Sequence, residues 1–296
     1  MQVKTIAKTI AKKLEEWLET ITDVDLRKAV KSNILVSGGS ITSLFLNEKV
    51  NDYDIYIMKK KVLIDLMKYY TNAYEDVVVW DGADIPEMAK TIPTDNTQHA
   101  VAFRTLKPDQ VKLFFKQDTQ GGLRVTEDKK DEELNYAPKF FSPNAISLSN
   151  DVQIVIRFYG NAEEIHKTFD FIHATNYFTF ADGLVTNKEA LECILTKQLR
   201  YQGSLYPLTT IIRIKKFIKR NWNINAGEML KVMFQISELN LKNPDVLEEQ
   251  LIGVDVAYFS KLIEVLRGID NPSMTSNYLN TIIDKVFSEA DSNDEN

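Results

Sequence analysis

The chain has 296 residues, of which 44% are hydrophobic and 26% charged, and its formal net charge is -6. This composition is typical of a soluble globular protein with one large or two modest domains, and it excludes a fibrous or wholly disordered chain. Four acidic residues lie among the last eight positions, so the rest of the chain is only slightly negative and binding to a polyanion is not excluded.

The chain lacks the usual signals for export. No charged-then-apolar leader begins it, and no apolar run approaches eighteen residues, so neither secretion nor a membrane span is expected. Cys193 is the only cysteine, which excludes an internal disulfide and is typical of a reducing compartment. We therefore expect a cytoplasmic protein.

The N-terminal segment predicts an amphipathic helix. Its apolar residues recur at spacings of three and four, and lysines and glutamates occupy the other face. These apolar residues are Ile6, Ile10, Leu14, Trp17, Leu18 and Ile21.

A glycine turn follows. Residues 34–36 are an apolar, β-branched run suited to a buried strand, and residues 41–46 can form a helix. Gly38 and Gly39 between them allow a sharp turn and a close approach to a ligand. Free backbone N–H groups at the start of the helix would face an anion there. Gly38, Gly39 and Ser40 are therefore candidate residues for binding the phosphates of a nucleotide.

A pair of carboxylates comes shortly after this turn. Residues 51–57 alternate with period two, which places Asp52, Asp54 and Tyr56 on one face of a predicted strand. Neighbouring carboxylates repel and raise each other's pKa unless a cation lies between them. Mg²⁺, or Mn²⁺ in its place, is the natural candidate. Tyr56 could stack on a base or simply cover the sheet edge.

Gly39-Ser40 followed by Asp52-x-Asp54 resembles the signature of the DNA polymerase beta-like nucleotidyltransferase superfamily. The resemblance implies transfer of a nucleoside monophosphate from an NTP to an acceptor hydroxyl, with release of pyrophosphate. It also implies two metal ions, held by Asp52, Asp54 and a third carboxylate on a later strand. Asp170 is the candidate for that third ligand, and it could also receive the proton of the acceptor.

The middle of the chain predicts a helix over 61–74, a strand over 77–80 and then an insertion over 81–150. The insertion contains three strand-like pieces, and Gln120-Gly121-Gly122 predicts a hairpin between the last two. These pieces are Ala100–Thr105, Val111–Phe115 and Leu123–Thr126. If this region belongs to the core sheet instead, Asp151 is an alternative third metal ligand.

The sheet is expected to resume at 153–158, and 162–167 predicts a short helix. Residues 169–180 predict a strand that carries Asp170 and ends at a hairpin turn, Asp182-Gly183. Helical spacing then dominates. The predicted helices are 187–201, 209–221, 226–239, 244–252 and 255–268.

These elements predict an α+β protein. The resemblance implies a polymerase beta-like nucleotidyltransferase core, a mixed sheet flanked by helices, with the strand-rich insertion. We place this core at 1–186, a C-terminal helical domain at 187–288 and a disordered acidic tail at 289–296.

Residues 141–259 also resemble phage-encoded proteins classed as nucleotidyltransferases. The passages that carry this resemblance are 153–160, 169–177 and 199–201 through 216–220. It implies a location in the host cytoplasm, with association with the virus particle as an alternative.

Five positive charges lie within residues 213–220. Arg213, Lys216 and Arg220 are candidates for contacting the leaving pyrophosphate or a nucleic-acid backbone from a cleft between the domains. The alternative is structural, because the apolar residues of the same helix make a good core stripe and leave the charges in solvent.

The partner expected from these features is an NTP, and no membrane partner is expected. The acceptor stays open among a tRNA end or other nucleic acid, a protein hydroxyl, an antibiotic-like molecule and a second nucleotide. Two other function classes also stay open: a catalytically silent phage structural or packaged component, and a nucleic-acid-binding module. His99, His166 and His173 lack zinc-ligand spacing, and His166 is expected to be exposed on a helix.

Overall fold

A mixed eight-stranded sheet carries two of the candidate site residues, Asp54 and Tyr56. The computed structural model describes residues 2–81, 110–115, 122–125, 135–241, 243, 246 and 250. The strands in these residues are β1 (Ile34–Ser37), β2 (Tyr53–Ile57), β3 (Val77–Trp80), β4 (Lys112–Phe115), β5 (Leu123–Arg124), β6 (Pro138–Ser142), β7 (Ala145–Leu148), β8 (Val152–Val155), β9 (Tyr177–Thr179), β10 (Gly183–Val185), β11 (Gln198–Leu199) and β12 (Asn223–Ile224).

The order of strands across the main sheet is β10-β9-β1-β2-β8-β7-β6-β5. Neighbours are antiparallel except β2 and β8, which run parallel at the centre. Two smaller sheets pair β3 with β4 and β11 with β12. Because β2 and β8 run parallel, the N-terminal ends of these two strands lie next to each other.

The described helices are α1 (Val3–Glu19), α2 (Val24–Asn33), α3 (Gly39–Leu46), α4 (Lys60–Thr71), α5 (Ala162–His166), α6 (Lys188–Thr196), α7 (Pro207–Lys219) and α8 (Ala226–Ser237), with a 3₁₀ turn at Ile172–Ala174. Several of them follow a residue whose side chain accepts hydrogen bonds from the first-turn N–H groups, a position that Asp and Asn commonly occupy. These caps are Asp23, Asn161, Asn187 and Asn225.

The main core lies on one face of the sheet. The predicted apolar stripe of α1 is buried there together with the inner faces of α2 and α4, which confirms the N-terminal helix. Trp17 Nε1 donates a hydrogen bond to Tyr70 Oη at 2.8 Å and ties α1 to α4. Burial of this many apolar side chains is the main source of stability.

The alternation predicted for β2 is confirmed. Tyr53, Ile55 and Ile57 belong to the main core, whereas Tyr56 packs on the opposite face with Leu35. A third cluster joins the segment before β9 to the C-terminal helices, and Phe171, Tyr201 and Trp222 are members of it.

The segment expected as one strand over 169–180 is different in the structure. Only β9 belongs to the sheet, because the backbone of 170–172 bonds instead to 200–202 and a 3₁₀ turn follows. Asp170 therefore does not lie on a strand of the main sheet, and that part of the prediction was wrong. The predicted turn at Asp182-Gly183 is confirmed, since β9 and β10 pair as a hairpin.

The hairpin expected around residues 120–122 falls mostly outside the described residues, and the described residues of its two strands have other partners. β4 pairs with β3, and β5 pairs with β6. Strands β5 to β7, expected as part of an insertion, extend the main sheet on the side of β8. The predicted strand at 100–105, the helix at 255–268 and the acidic tail lie outside the described residues, and the domain boundaries stay predictions.

None of the helices in the described ranges has the length and apolar character that crossing a bilayer would require.

Candidate functional site

Asp54 and Asp52 lie beside each other on the sheet face opposite the main core. Asp54 is half-buried in β2, and Asp52 is exposed just before the strand begins. Burial, and then the charge of Asp52, raises the pKa of Asp54 to about 7. Partial desolvation of its carboxyl, and then the charge of Asp151, raises the pKa of Asp52. The fold therefore holds carboxylates close enough to oppose each other's ionisation.

The strand register places polar residues on either side of Asp54. Gln153 of β8 is the register partner of Asp54. Nε2 of Gln153 donates a hydrogen bond to Ser147 Oγ at 3.2 Å. On the other side, the pairing of Val36 with Ile55 brings the next residue, Ser37, to the level of Asp54. A polar row therefore crosses the middle of the sheet at the candidate site.

The glycine turn lies against Asp54. Gly38 has a φ of +92°, and a Cβ at this position would lie 3.5 Å from Asp54 Oδ2. Its N–H donates to the backbone oxygen of Ala174 at 3.1 Å. A side chain here would be strained and would also fill the space beside the carboxylate.

Helix α3 begins at this turn without a side-chain cap. Its first N–H groups are therefore available to an anion. Ser40, in the first turn, is buried, and its Oγ has no hydrogen-bond partner among the described residues. An unpaired buried hydroxyl is costly, and a ligand oxygen or a water molecule could supply its partner.

Tyr56 lies two residues beyond Asp54 on this face. It is buried, and its ring centroid is 6.0 Å from that of Phe169. Burial and the charge of Asp54 raise the pKa of Tyr56 well above its usual value, and the Arg213 cation lowers it. The charges of Asp54 and Arg213 therefore both act on Tyr56. Because its ring is buried, Tyr56 covers the sheet and is not exposed for stacking on a base.

Asp170 is buried away from the main sheet's strands and is bonded through both oxygens. Ser204 Oγ donates to Oδ1 at 2.7 Å, and Arg213 Nη1 donates to Oδ2 at 2.5 Å. No cluster of three His, Cys, Asp or Glu side chains suited to a metal is found in the described ranges. The structure therefore brings Asp52 and Asp54 together but does not add Asp170 to them.

The basic helix α7 turns two of its three candidate residues toward carboxylates. Arg213 reaches Asp170, and Arg220 reaches Glu48 at 2.6 Å, whereas Lys216 is exposed. Arg220 also approaches Ser43 Oγ at 3.4 Å, in the second half of α3 and away from the glycine turn. Of the three, Arg213 is the one related to the Asp54 face.

His166 contributes to this face, although the sequence predicted an exposed helical residue. It is half-buried and its Nε2 lies 2.9 Å from Ser37 Oγ. Ser37 donates its hydroxyl proton to a backbone oxygen, that of Asn176 at 2.8 Å, so we assign Nε2 as a donor to Ser37. Burial lowers the pKa of His166 to about 4. Only the three-dimensional contact between α5 and β1 identifies it.

A cavity of about 580 Å³ opens beside His166, between α5 and the hairpin of β9 and β10. Tyr177, Asn187 and Gln202 contribute polar groups to its lining. It lies on the same sheet face as Asp54, because Tyr177 is the register partner of Ser37.

The donor set at the glycine turn fits a hard divalent cation. Asp52 and Asp54 supply carboxylate oxygens, the ligands that Mg²⁺ and Mn²⁺ prefer, and both have a raised pKa that a cation would relieve. Two carboxylates do not complete the coordination of such an ion. Phosphate oxygens near the first turn of α3 and water would have to supply the rest.

Comparison with known proteins identifies relatives by sequence. A family model described as "Gabija anti-defense 2 family protein" matches residues 8–197. A curated relative, "Gabija anti-defense 2" of Bacillus phage SPbetaL7, is 21% identical over 243 residues. That match covers 81% of this chain and 46% of the relative, so the chain spans about half the length of the protein it matches.

Similar solved structures include two CCA-adding enzymes. The Thermotoga maritima enzyme in complex with tRNA is 14% identical with a TM-score of 0.38, covering 88% of this chain and 56% of the enzyme. The Bacillus stearothermophilus enzyme in complex with CTP is 12% identical with a TM-score of 0.39, covering 84% and 51%. Likeness at this level does not assign a fold or a substrate.

Proposed function

The chain belongs to the Gabija anti-defense 2 family, and from this premise we propose that it acts against Gabija defence as a metal-dependent nucleotidyltransferase. It would move a nucleoside monophosphate from an NTP to an acceptor hydroxyl with release of pyrophosphate. One observation carries the proposal. Asp54, whose pKa the charge of Asp52 helps to raise, lies against Gly38 at the uncapped start of α3.

Each part of this site has a role in the proposed reaction. Asp52 and Asp54 would hold Mg²⁺ or Mn²⁺, and the N–H groups at the start of α3 would bind the β- and γ-phosphates beside Ser40. A bound divalent ion would supply charge neutralisation for the triphosphate and a lower pKa for the acceptor hydroxyl. The protein itself would chiefly hold the two reactants in line.

The proposed chemistry balances without a further reactant. The acceptor oxygen forms a bond to the α-phosphorus while the bond from that phosphorus to the bridging oxygen of the β-phosphate breaks. Pyrophosphate leaves with the electron pair of that bond, and the proton of the hydroxyl passes to solvent. Gly38 serves this step by leaving space beside Asp54, where a Cβ would lie 3.5 Å from the carboxylate.

The third ligand and the second ion stay predictions from the sequence. Asp170 is bonded to Arg213 and Ser204, so the proposal requires only the carboxylates of Asp52 and Asp54. Two carboxylates with phosphate oxygens and water are a common way to bind Mg²⁺.

The name of the phage relative suggests the setting of the reaction. We propose that the acceptor is either a component of Gabija or a nucleic acid that Gabija depends on, a tRNA end included. Because the chain spans 46% of that relative, the activity of the longer protein is carried over only as part of this proposal.

The test is transfer of label from α-³²P-labelled NTPs. Each NTP is incubated with the protein, Mg²⁺ or Mn²⁺, and either host RNA or extract from cells that express Gabija. We expect a metal-dependent labelled product that Asp52→Asn and Asp54→Asn each abolish. The matched control is Asp65→Asn, because Asp65 forms a surface pair with Lys61 on α4. Absence of any labelled product with all four NTPs would contradict the proposal.

A second candidate is supported by one observation, the ionic engagement of Asp170 with Arg213, which leaves two carboxylates in the site. In this alternative the protein binds a nucleotide with its metal and does not transfer it. Purified protein would then bind the NTP with Mg²⁺ without releasing pyrophosphate, and Asp54→Asn would weaken that binding. Release of pyrophosphate by the parent protein would favour the enzyme.

A further inference from the structure

The buried pair of Asp170 and Arg213 has a role that neither the sequence pattern nor the relatives assign. Only 3% of the Asp170 side chain is exposed, against 41% for Arg213. A buried carboxylate is costly unless it is paired and hydrogen-bonded. Both carboxylate oxygens of Asp170 accept hydrogen bonds, from Arg213 and from Ser204, while the Arg213 side chain remains partly exposed to solvent.

The elements around Asp170 hold it in one place. Gln202 N–H donates to the backbone oxygen of Asp170 at 3.0 Å, and Gln202 Nε2 donates to that of Phe169 at 2.9 Å. Gln235 of α8 bonds both backbone groups of Ser204, at 3.2 Å through Oε1 and 2.6 Å through Nε2. Hydrogen bonds from several elements therefore fix the backbone that carries Asp170 and Ser204, and with it the carboxylate that accepts from Arg213.

The bond to Asp170 uses only part of the hydrogen-bonding capacity of the Arg213 guanidinium. A guanidinium has five N–H groups in a fixed plane, and the bond to Asp170 uses Nη1. The residue before Asp170, Phe169, packs on the ring of Tyr56, which lies on the same face of β2 as Asp54. The cation is thus presented toward the face that carries the carboxylates.

We propose that Asp170, with Ser204, is a positioning residue that holds the Arg213 guanidinium ready to bind the triphosphate of an NTP at the Asp52–Asp54 site. The inference rests on the proposed function and specifies how its nucleotide is held. A guanidinium that is fixed in advance loses less rotamer freedom when it binds a phosphate. Asp170 touches neither the metal nor the nucleotide in this arrangement and acts through the arginine.

The test is a double-mutant cycle on nucleotide binding. Affinity for a non-hydrolysable ATP analogue with Mg²⁺ is measured by calorimetry for the full chain and for Asp170→Asn, Arg213→Ala and the double variant. We expect each single variant to weaken binding about 10- to 100-fold, the range for a hydrogen bond to a charged group. The double variant should be no weaker than Arg213→Ala, because the first residue acts only through the second.

Further variants separate positioning from folding. Arg213→Lys keeps the charge but loses the planar fork, so its affinity should fall between those of the parent and Arg213→Ala. Ser204→Ala keeps the ion pair and should weaken binding only a few-fold. Arg200→Ala is the matched control, because Arg200 pairs with Glu192 and is 39% exposed, and it should bind as the parent does. Melting temperatures identify any variant that is not folded.

The outcomes distinguish this inference from the proposed function. If the parent binds the analogue and folded Asp170→Asn binds it equally well, the positioning role is wrong while the proposed function stands. The same holds if the losses in the double variant add, or if Asp170→Asn removes the thermal shift produced by Mg²⁺, which would make Asp170 a metal ligand. A parent protein that binds no nucleotide and shows no metal-dependent shift would overturn both.

Discussion

Replacing Asp54 with asparagine should stabilise the protein in the absence of metal. The pKa of this carboxyl is raised from 3.8 to about 7 in the folded state. A carboxyl with a raised pKa stabilises the fold fully below pH 3.8, and that contribution is lost as the pH rises through 7. Above pH 7 the ionised group therefore opposes folding, and asparagine, which has no charge, removes the opposition.

The size of the effect follows from the shift. About three pKa units correspond to roughly 4 kcal/mol as an upper value, and solvent screening at a half-buried group reduces this to about 1–2 kcal/mol. For a chain of this size that is an increase in melting temperature of about 2–3 °C at about pH 8. At about pH 4 the two proteins should melt within about 1 °C of each other.

The assay is differential scanning calorimetry at about pH 4 and about pH 8, with EDTA and with Mg²⁺. Mg²⁺ at about ten times its dissociation constant should stabilise the parent by about 1.4 kcal/mol at the higher pH and leave Asp54→Asn unchanged. Asp65→Asn, on the surface of α4, should change neither value. A variant that melts at or below the parent in EDTA at the higher pH, together with a parent that ignores Mg²⁺, would refute the reasoning.

Three other substitutions test the glycine turn, the main core and the contact of His166. Gly38→Ala should cost about 1–3 kcal/mol by chemical unfolding, because its φ of +92° suits glycine, whereas Gly39→Ala, with open space around its Cβ, should keep the parent's stability. Trp17→Phe should cost about 1 kcal/mol in the same assay, because it removes the bond to Tyr70 Oη; an unchanged midpoint would mean that this bond contributes nothing. The pKa of His166 is lowered to about 4 from 6.5, so the unfolded state binds more protons and stability should fall as the pH drops from 6.5 to about 4. His166→Gln should flatten that part of a pH–stability profile, and an unchanged slope would assign it to other groups.

The sequence predicts the local parts of this structure well. The stripe of α1 follows from spacings of three and four, and the two faces of β2 follow from strict alternation. The turn at Gly38 follows from the glycine pair between an apolar run and a helix. Each of these patterns is complete within a short stretch of chain, which explains why it can be interpreted without the fold.

The missed features depend on contacts between distant segments. Asp170 meets Arg213 across 43 positions of sequence, and Ser37 meets His166 across 129. Phe171 and its neighbours have the composition of a strand, yet their backbone partners come from residues 200–202. Tertiary pairing of this kind overrides local propensity.

The alternation of β2 separates what keeps the molecule folded from what would make it react. Tyr53, Ile55 and Ile57 anchor the strand in the main core, while Asp54 and Tyr56 lie on the other face. The proposed chemistry could thus be lost by a single replacement while the protein still folds, so the amount of folded protein in a cell does not report the proposed activity. The same independence offers a practical tool: a variant without the proposed activity and with an unaltered scaffold could serve as bait for the proposed acceptor.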